Sequence, residues 1–254
     1  MRRLLEVRDL TVTFRQDGAT IPAVRGVSFS VGAGETVALV GESGSGKSAL
    51  ARALLRLNDP PFTPPRARIS GQAWLRVPGA GPRDLVAAGP EALRAARARD
   101  VAMVFQDALS GLNPVQRNGA QLAEAARARH PGLGRRAAWE AALAMLAEVG
   151  LPDPQVQARK YPHQLSGGQR QRVMIGLAAI REPALLIADE PTTALDATVQ
   201  ARILALLADL RAKRGMAMLF ISHDLDVVAR IAGRVAVMYA GQIVELAETA
   251  ALFR

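Results

Sequence analysis

A chain of 254 residues, half of them hydrophobic, is long enough to bury a full core, which excludes a disordered chain. The length fits one α/β domain or a core with an added lobe. The net charge of +9, from 32 basic and 23 acidic residues, favours acidic partners such as a nucleotide, a nucleic acid or an anionic membrane surface. The sequence contains no cysteine, which excludes disulfides, thiolate zinc sites and cysteine nucleophiles.

Two alternating segments at the start of the chain predict a pair of antiparallel strands. Residues 4–14 alternate loosely between apolar and polar side chains, and Val24–Val31 does so again after the turn Gln16–Thr20. Phe14 ends the first strand, upstream of a glycine-rich loop. An aromatic ring there either stacks on an adenine base or packs as an ordinary core or edge residue, and its spacing leaves both open.

A glycine-rich loop between an apolar strand and a helix is the strongest local signal. The stretch GESGSGKS, residues 41–48, follows Thr36–Val40, precedes the helical segment Ala49–Leu57, and fits the phosphate-loop pattern GxxxxGK[ST]. Its glycines let successive backbone N–H groups face one point, and the helix adds its positive N-terminal end there. The sequence therefore predicts a bound nucleotide, with Lys47 reaching the β- and γ-phosphates and the Ser48 hydroxyl ligating Mg²⁺.

The middle of the chain changes from strands to helices. Four prolines within Asp59–Pro65 end the helical geometry of the preceding segment. From Asp107 to about Ile180 the sequence is rich in alanine with a helical period, broken at Pro131-Gly132 and at Gly150–Pro154, which predicts an inserted helical subdomain. The elements predicted before it are a strand at Ile69–Val77, a tight connection at Pro78–Pro82, a helix at Pro90–Arg99 and a strand at Val101–Phe105.

The last third of the chain predicts the rest of a parallel sheet. Leu185–Ala188 and Met216–Ile221 are fully apolar, as in strands covered on both faces, and Thr198–Arg211 predicts an amphipathic helix. Val235–Met238 and Ile243–Glu245 predict a closing hairpin with Gly241 in its turn. The expected fold class is α/β: a mostly parallel sheet with helices on both faces, an N-terminal antiparallel β subdomain and an inserted α-helical subdomain. We expect one domain over 1–254, with a core at 1–106 and 179–254 and the helical subdomain at 107–178.

Two acids follow the apolar strand Leu185–Ala188 directly. In phosphate-loop proteins a second strand delivers a carboxylate to the magnesium ion, a role that falls to Asp189. Glu190 can orient the water that attacks the γ-phosphorus and accept its proton. Both acids could instead cap the next segment, although two adjacent carboxylates at the end of a buried strand are costly to desolvate without a metal or cationic partner.

A second glycine motif is LSGGQRQR, residues 165–172, directly before the predicted helix Val173–Ile180. Ser166 and the two glycines after it can present a hydroxyl and bare N–H groups at a helix N-terminus, which makes a second anion site. If the two anion sites lie on different lobes, a head-to-tail pair of chains sharing two nucleotides lets both sites work. A capped helix start is the alternative.

The second motif resembles the signature of the ATP-binding cassette (ABC) family. The other family motifs are matched in order by GESGSGKS, Gln106 in MVFQD, LLIADE, Ala194-Leu195-Asp196 and Ser222-His223-Asp224, over essentially the whole chain. The resemblance implies that Phe14 stacks on adenine, that Gln106 senses Mg²⁺ and the membrane partner, and that His223 contacts the γ-phosphate and orders Glu190.

The resemblance also assigns residues to a dimer interface. It implies that Ser166, Gly167 and Gly168 bind the γ-phosphate of the nucleotide held by the opposite protomer, and that Asp196 lies in the loop across that interface. The expected catalytic residues are Lys47, Gln106, Glu190 and His223, and the expected metal ligands are Ser48, Gln106 and Asp189. The expected nucleotide contacts are Phe14, Gly41, Glu42, Ser43, Gly44, Ser45, Gly46, Lys47, Ser48, Ala49, Ser166, Gly167, Gly168, Gln169, Asp189 and Asp196.

Three further stretches resemble the branch of the family that powers import of dipeptides, oligopeptides and nickel or metal chelates. They are 110–114, 161–164 and 188–196. The resemblance implies an ATPase that energises peptide uptake across the cytoplasmic membrane. A nickel or metal-chelate importer and the ATPase of a soluble phosphonate-degrading complex are the alternatives. Many peptide-importing members continue past Leu252-Phe253 with a cysteine-containing extension that this sequence lacks, so a shortened chain and a nickel-type member both stay open.

The resemblance implies ATP and Mg²⁺ as cofactors and several protein partners. These are a second ATPase subunit, identical or homologous, two integral membrane permease subunits and an extracytoplasmic solute-binding protein. Apolar runs such as Ala184–Ala188 are far shorter than the ~18 to 20 residues of a membrane span, and residues 1–5 lack a signal h-region, so we expect a chain that neither crosses a membrane nor is exported. The resemblance implies a peripheral protein on the cytoplasmic face of the inner membrane. The arginines are scattered and the cluster Arg94, Arg97, Arg99 alone approaches a basic stripe, so we expect no nucleic-acid partner.

Overall fold

The computed structural model describes residues 2–16, 19–58, 67–193 and 195–253. The chain divides into two compact units, Met1–Arg97 with Ala217–Arg254, and Ala98–Met216. Residues 17 and 18 of the predicted first turn, the predicted proline break at 59–65, and Ala194 lie outside the described residues. The division into a core at 1–106 and 179–254 and an insert at 107–178 stays a prediction.

The secondary structure alternates strands and helices after an initial strand pair. The strands are β1 Arg3–Gln16, β2 Ala19–Gly32, β3 Thr36–Val40, β4 Ala67–Leu75, β5 Arg83–Asp84, β6 Val101–Val104, β7 Leu185–Asp189, β8 Ala217–Ile221, β9 Arg234–Tyr239 and β10 Gln242–Glu248. The helices are α1 Lys47–Leu54, α2 Pro90–Arg99, α3 Ala108–Gly111, α4 Asn118–Arg129, α5 Arg135–Glu148, α6 Pro154–Arg159, α7 Gly167–Ala179, α8 Ala197–Arg214, α9 Leu225–Ile231 and α10 Thr249–Leu252.

The N-terminal strands of the first unit form an antiparallel sheet in the order β2-β1-β4-β5. Leu5 and Val7 of β1 are buried, and after a register shift Leu10 and Val12 are buried too. Leu4 and Glu6 are buried as well, so burial alternates only from Leu10 onward, where Thr11 and Thr13 are half-buried; the predicted strand pair is confirmed. The short strand β5 was not predicted.

Strand β3 leads into the glycine-rich loop and runs parallel to both of its neighbours, β8 and β9. Every residue of β3 and β8 is buried, as expected for strands covered on both faces. β10 pairs antiparallel with β9 and completes the predicted hairpin, with Gly241 at a φ of 82° in its turn. Helix α1 ends three residues before the predicted Leu57, because the chain turns at Arg56, whose φ is 50°.

The second unit combines the parallel pair β6 and β7 with the predicted helical stretch. Close packing there depends on small residues. A Cβ atom at Gly119 of α4 would lie 2.8 Å from the Trp139 ring of α5, and one at Gly176 of α7 would lie 3.2 Å from Met145 of α5. The glycines therefore let these helices approach each other closely.

Helix α7 begins at Gly167, six residues before the predicted start at Val173, so that prediction was wrong. The two glycines at 167 and 168 are poor helix formers, which made the motif look like a loop. Ser166 and Gln169 outweigh this by forming a capping box, in which each side chain accepts a hydrogen bond from the other residue's backbone N–H. Within the described parts of the chain, no helix has both the length and the apolar character needed to cross a bilayer.

Candidate nucleotide site

Two glycines of the loop 41–48 occupy places that a side chain cannot. Gly41 and Gly46 have φ angles of 153° and 105°. A Cβ atom at Gly41 would overlap the carbonyl oxygen of Met238, and one at Gly46 would overlap that of Ala23. Both obstacles are backbone atoms, so they cannot move aside as a side chain could. The loop is therefore fixed against β2 and β9 by contacts that only glycine allows.

The ammonium group of Lys47 is held inside the loop. Its Nζ donates to the carbonyl oxygens of Gly41 at 2.8 Å and Glu42 at 2.7 Å, and lies 3.5 Å from Ser45 Oγ. The residue is 4% exposed, so this cation is largely removed from water and remains strongly attractive to an anion. Ser48 and Ala49 follow in the first turn of α1, and Glu42, Ser43 and Gly44 are exposed.

The closing hairpin supports the loop from behind. The backbone N–H of Gly241, in the turn between β9 and β10, donates to the carbonyl oxygen of Ser45 at 2.9 Å. The carbonyl oxygen of Gly241 in turn accepts from the backbone N–H of Arg25 on β2 at 2.8 Å. The hairpin turn thus joins the phosphate loop to the N-terminal strands through backbone hydrogen bonds.

The first unit brings His223 close to the beginning of the loop. His223, the second residue after β8, is exposed and lines a cavity of about 480 Å³ with Gly41 and Glu42. The backbone after it is fixed because Asp224 caps α9, its Oδ1 accepting from the backbone N–H groups of Asp226 and Val227. Phe14, which is half-buried, lies near the end of β1 opposite Ile21 of β2 and Ala67 of β4.

The second unit brings three of the expected polar residues to the end of its parallel strands. Asp189 is the last residue of β7 and is 1% exposed. Glu190 follows at a φ of 45°, and Gln106 Nε2, just after β6, donates to Glu190 Oε2 at 3.1 Å. The Thr193 hydroxyl donates to the same carboxylate oxygen at 2.8 Å. Carboxyl ends of neighbouring parallel strands are where α/β proteins place their ligands.

The second glycine motif lies at a capped helix N-terminus in the same unit. The Ser166 hydroxyl accepts from the backbone N–H of Gln169 at 3.3 Å. Gly167 has open space where a Cβ atom would be, whereas a Cβ atom at Gly168 would lie 2.9 Å from Val199 Cγ1. Val199 is also the residue whose backbone N–H donates to Asp196 Oδ1, the N-cap of α8, at 2.9 Å. Val199 therefore contacts the starts of both helices.

A family described as ABC transporter matches residues 24–193, more than half of the chain. The chain belongs to the ABC transporter family. Two solved structures support the same fold for this cassette. A dimeric bacterial ABC transporter cassette, MJ0796, has a TM-score of 0.83 and 26% identity, covering 96% of this chain and 98% of that chain. A post-hydrolysis state of the same cassette bound to ADP and Pi has a TM-score of 0.82 and 25% identity, with the same coverage. The predicted fold class is confirmed.

The cassette is also similar to ATP-binding proteins of peptide transport. The oligopeptide transport protein OppD of Mycobacterium bovis is 48% identical over 254 residues, covering all of this chain and 40% of the relative. OppD of Bacillus subtilis is 45% identical over 244 residues, covering 96% of this chain and 65% of the relative. The dipeptide transport protein DppD of Bacillus subtilis is 45% identical, with coverages of 97% and 71%. The cassette thus spans less than two thirds of the length of both OppD relatives.

The expected site residues remain predictions, and the structure places next to them several residues that the sequence did not indicate. Thr193, Val199, Met238 and Gly241 contact the motifs and were not among the predicted residues. A signal for Thr193 exists in the sequence, because Glu190-Pro191-Thr192-Thr193 has proline at the second position of a turn. The contacts of Met238 and Gly241 join residues almost 200 positions apart and leave no local signal.

Proposed function

We propose that this chain is the ATP-hydrolysing subunit of an ABC importer for oligopeptides or dipeptides. The observation that carries the proposal is identity of 48% over all 254 residues with an oligopeptide transport ATP-binding protein. The site supports it, because a phosphate loop, an acid pair after a buried strand and a capped signature helix are all present on one chain. These site features are shared by the nickel-importer and phosphonate-complex alternatives, so the identity with peptide transport proteins is what favours peptides as the solute.

The residues of the first unit bind the triphosphate. The backbone N–H groups of Gly41–Ser48 and the N-terminus of α1 bind the phosphates. The Lys47 Nζ gives up its hydrogen bonds to the carbonyl oxygens of Gly41 and Glu42 and donates to the β- and γ-phosphate oxygens. Phe14 stacks on the adenine base from β1. His223, beside Gly41 and Glu42 in their shared cavity, contacts the γ-phosphate.

The donor types expected at the metal fit Mg²⁺. The Ser48 hydroxyl, the Gln106 amide oxygen and the Asp189 carboxylate are hard oxygen ligands of the type that Mg²⁺ prefers. Magnesium, when bound, neutralises charge on the phosphate oxygens during transfer. Glu190 acts as the general base on the attacking water.

The working assembly is a head-to-tail dimer of ATPase subunits on two permease subunits, at the cytoplasmic face of the membrane. Ser166, Gly167 and Gly168 complete the nucleotide site of the opposite protomer, and Asp196 lies across the interface. Contacts made in the closed dimer and lost in the open one are what let ATP shift the equilibrium towards closure. An extracytoplasmic binding protein delivers the peptide.

Glu190→Gln tests the hydrolytic role. We expect ATP binding to persist and steady-state turnover to fall at least ~100-fold, since the amide cannot accept the proton of the water. Glu245→Gln, a substitution of the same type at an exposed residue of β10, should leave turnover unchanged. Normal hydrolysis by Glu190→Gln would remove this residue from the mechanism.

The transported solute is tested on the importer reconstituted in vesicles with its binding protein. Hydrolysis stimulated by dipeptides or oligopeptides and not by nickel supports the proposal. Stimulation by nickel alone, or purification of the chain with a soluble lyase instead of integral membrane proteins, would contradict it.

A further inference from the structure

A turn directly after β7 folds back on the carboxylate of Glu190. The backbone N–H of Thr193 donates to the carbonyl oxygen of Glu190 at 3.2 Å, which closes the turn Glu190-Pro191-Thr192-Thr193. The φ of Glu190 is 45°, a region that residues other than glycine seldom adopt. Proline at the second position has a fixed φ that favours such a turn. The backbone of Glu190 is therefore set by its own turn.

The side chain of Glu190 is held by the same turn. The Thr193 Oγ1 hydroxyl donates to Glu190 Oε2 at 2.8 Å, a short hydrogen bond of the kind expected for a hydroxyl donating to a carboxylate. Gln106 Nε2 donates to the same oxygen from 3.1 Å, but Gln106 is exposed on a loop, whereas Thr193 is half-buried and fixed by its backbone hydrogen bond. Thr193 is thus the donor with less freedom to move.

We propose that Thr193 is a positioning residue for ATP hydrolysis, holding the Glu190 carboxylate in the orientation that accepts a proton from water. The inference rests on the proposed function of Glu190 as general base. A glutamate side chain has three rotatable bonds, so an unrestrained carboxylate samples several orientations, and a base works when it lies within hydrogen-bond reach of its proton. The hydroxyl acts through the carboxylate by fixing one of its oxygens, which makes Thr193 a positioning residue and not a catalytic one.

The test compares variants of Thr193 in the assembled importer. Thr193→Val removes the donor and keeps the side-chain shape, and Thr193→Ser keeps the donor. We expect Thr193→Val to lower kcat about 10-fold or more while KM for ATP changes less than about twofold, because binding does not involve this hydroxyl and a misplaced base slows the chemical step. Thr193→Ser should restore kcat to within about threefold of the wild type.

Thr192→Val is the matched control, since Thr192 is half-buried in the same turn. Thr192→Val should keep kcat within about twofold of the wild type. An equal loss of kcat in both valine variants would mean that hydrolysis depends on the turn as a whole and not on the hydroxyl of Thr193, which would overturn the proposal. Thr193→Ala serves as the second donor-free variant if Thr193→Val does not fold. Wild-type kcat in the donor-free variant would overturn the proposal.

A double-mutant comparison separates positioning from stability. In a Glu190→Ala background the carboxylate is gone, so Thr193→Val should not reduce the residual rate further. A reduction by the same factor as in the wild-type background would overturn the proposal. Failure of the proposed role of Glu190 looks different, because Glu190→Ala alone would then keep a kcat close to that of the wild type.

Discussion

Close packing against Val199 favours glycine at position 168, and this effect can be measured without nucleotide. A Cβ atom there would lie 2.9 Å from Val199 Cγ1, closer than real Cβ contacts come, so Gly168→Ala forces the start of α8 or the Val199 side chain to shift. Overpacking of this kind costs about 1 to 3 kcal/mol. Val199 is half-buried and has room to move, so we expect the lower half of that range.

Gly167→Ala is the matched control. A Cβ atom at Gly167 meets open space, and both glycines lie in the first turn of α7, so each alanine gains the same small helix propensity, at most ~1 kcal/mol. The difference between the two variants therefore isolates the contact with Val199. We expect Gly168→Ala to be less stable than Gly167→Ala by about 1 to 1.5 kcal/mol, or roughly 2 to 6 °C in Tm.

Thermal unfolding in nucleotide-free buffer is the assay. Removing the obstacle should recover the loss, so Gly168→Ala combined with Val199→Ala should be more stable than the sum of the single effects by about 1 kcal/mol. Equal Tm values for Gly167→Ala and Gly168→Ala would refute the reasoning, as would strict additivity of Gly168→Ala and Val199→Ala.

Two further predictions concern stability away from the nucleotide. Two hydrogen bonds from Arg214 lower the pKa of Glu148 in the folded protein, so the unfolded chain binds more protons at acidic pH. The pair therefore contributes about 1 kcal/mol to the free energy of unfolding above the ordinary carboxyl pKa, and this contribution is lost as the pH falls below it. Urea titrations from pH 7 to 3 should show this loss in the wild type and a flatter profile in Glu148→Gln. The Arg97 guanidinium donates to the carbonyl oxygen of Leu55 just after α1. Arg97→Gln should therefore lower the free energy of unfolding in urea by about 1 to 2 kcal/mol, whereas Arg94→Gln, at an exposed position, should lower it by less than ~0.5 kcal/mol. Equal losses in the two variants would contradict the role of Arg97.

The strands with the strongest patterns could be predicted closely from sequence. β3 has the predicted bounds, and the helix at Pro90–Arg99 does too, because an apolar run and a turn-to-helix boundary are local signals. The start of α7 could not be predicted from local preference, because its first two residues are glycines, which are poor helix formers. A capping box and close packing favour the helix there in spite of them. The short elements β5, α9 and α10 leave too few residues for a period to be recognised.

The site could be predicted as residue types but not as a set of contacts. The motif around Lys47 predicted a phosphate loop, yet the carbonyl oxygens that hold its Nζ depend on how the loop curls. The hydrogen bond between Gly241 and Ser45 depends on the sheet that brings β9 beside β3. Long-range contacts of this kind follow from the fold as a whole, which is why a pattern of single residues did not reveal them.

The central claim is that the phosphate loop of one chain and the signature helix of a second chain enclose one nucleotide. A cryo-EM structure of the assembled importer carrying Glu190→Gln, with ATP and Mg²⁺, tests it most directly. We predict that Ser166, Gly167 and Gly168 of each protomer lie in hydrogen-bond contact with the γ-phosphate of the nucleotide bound at Lys47 of the opposite protomer. A closed, ATP-bound dimer in which these three residues are remote from both nucleotides would contradict the account.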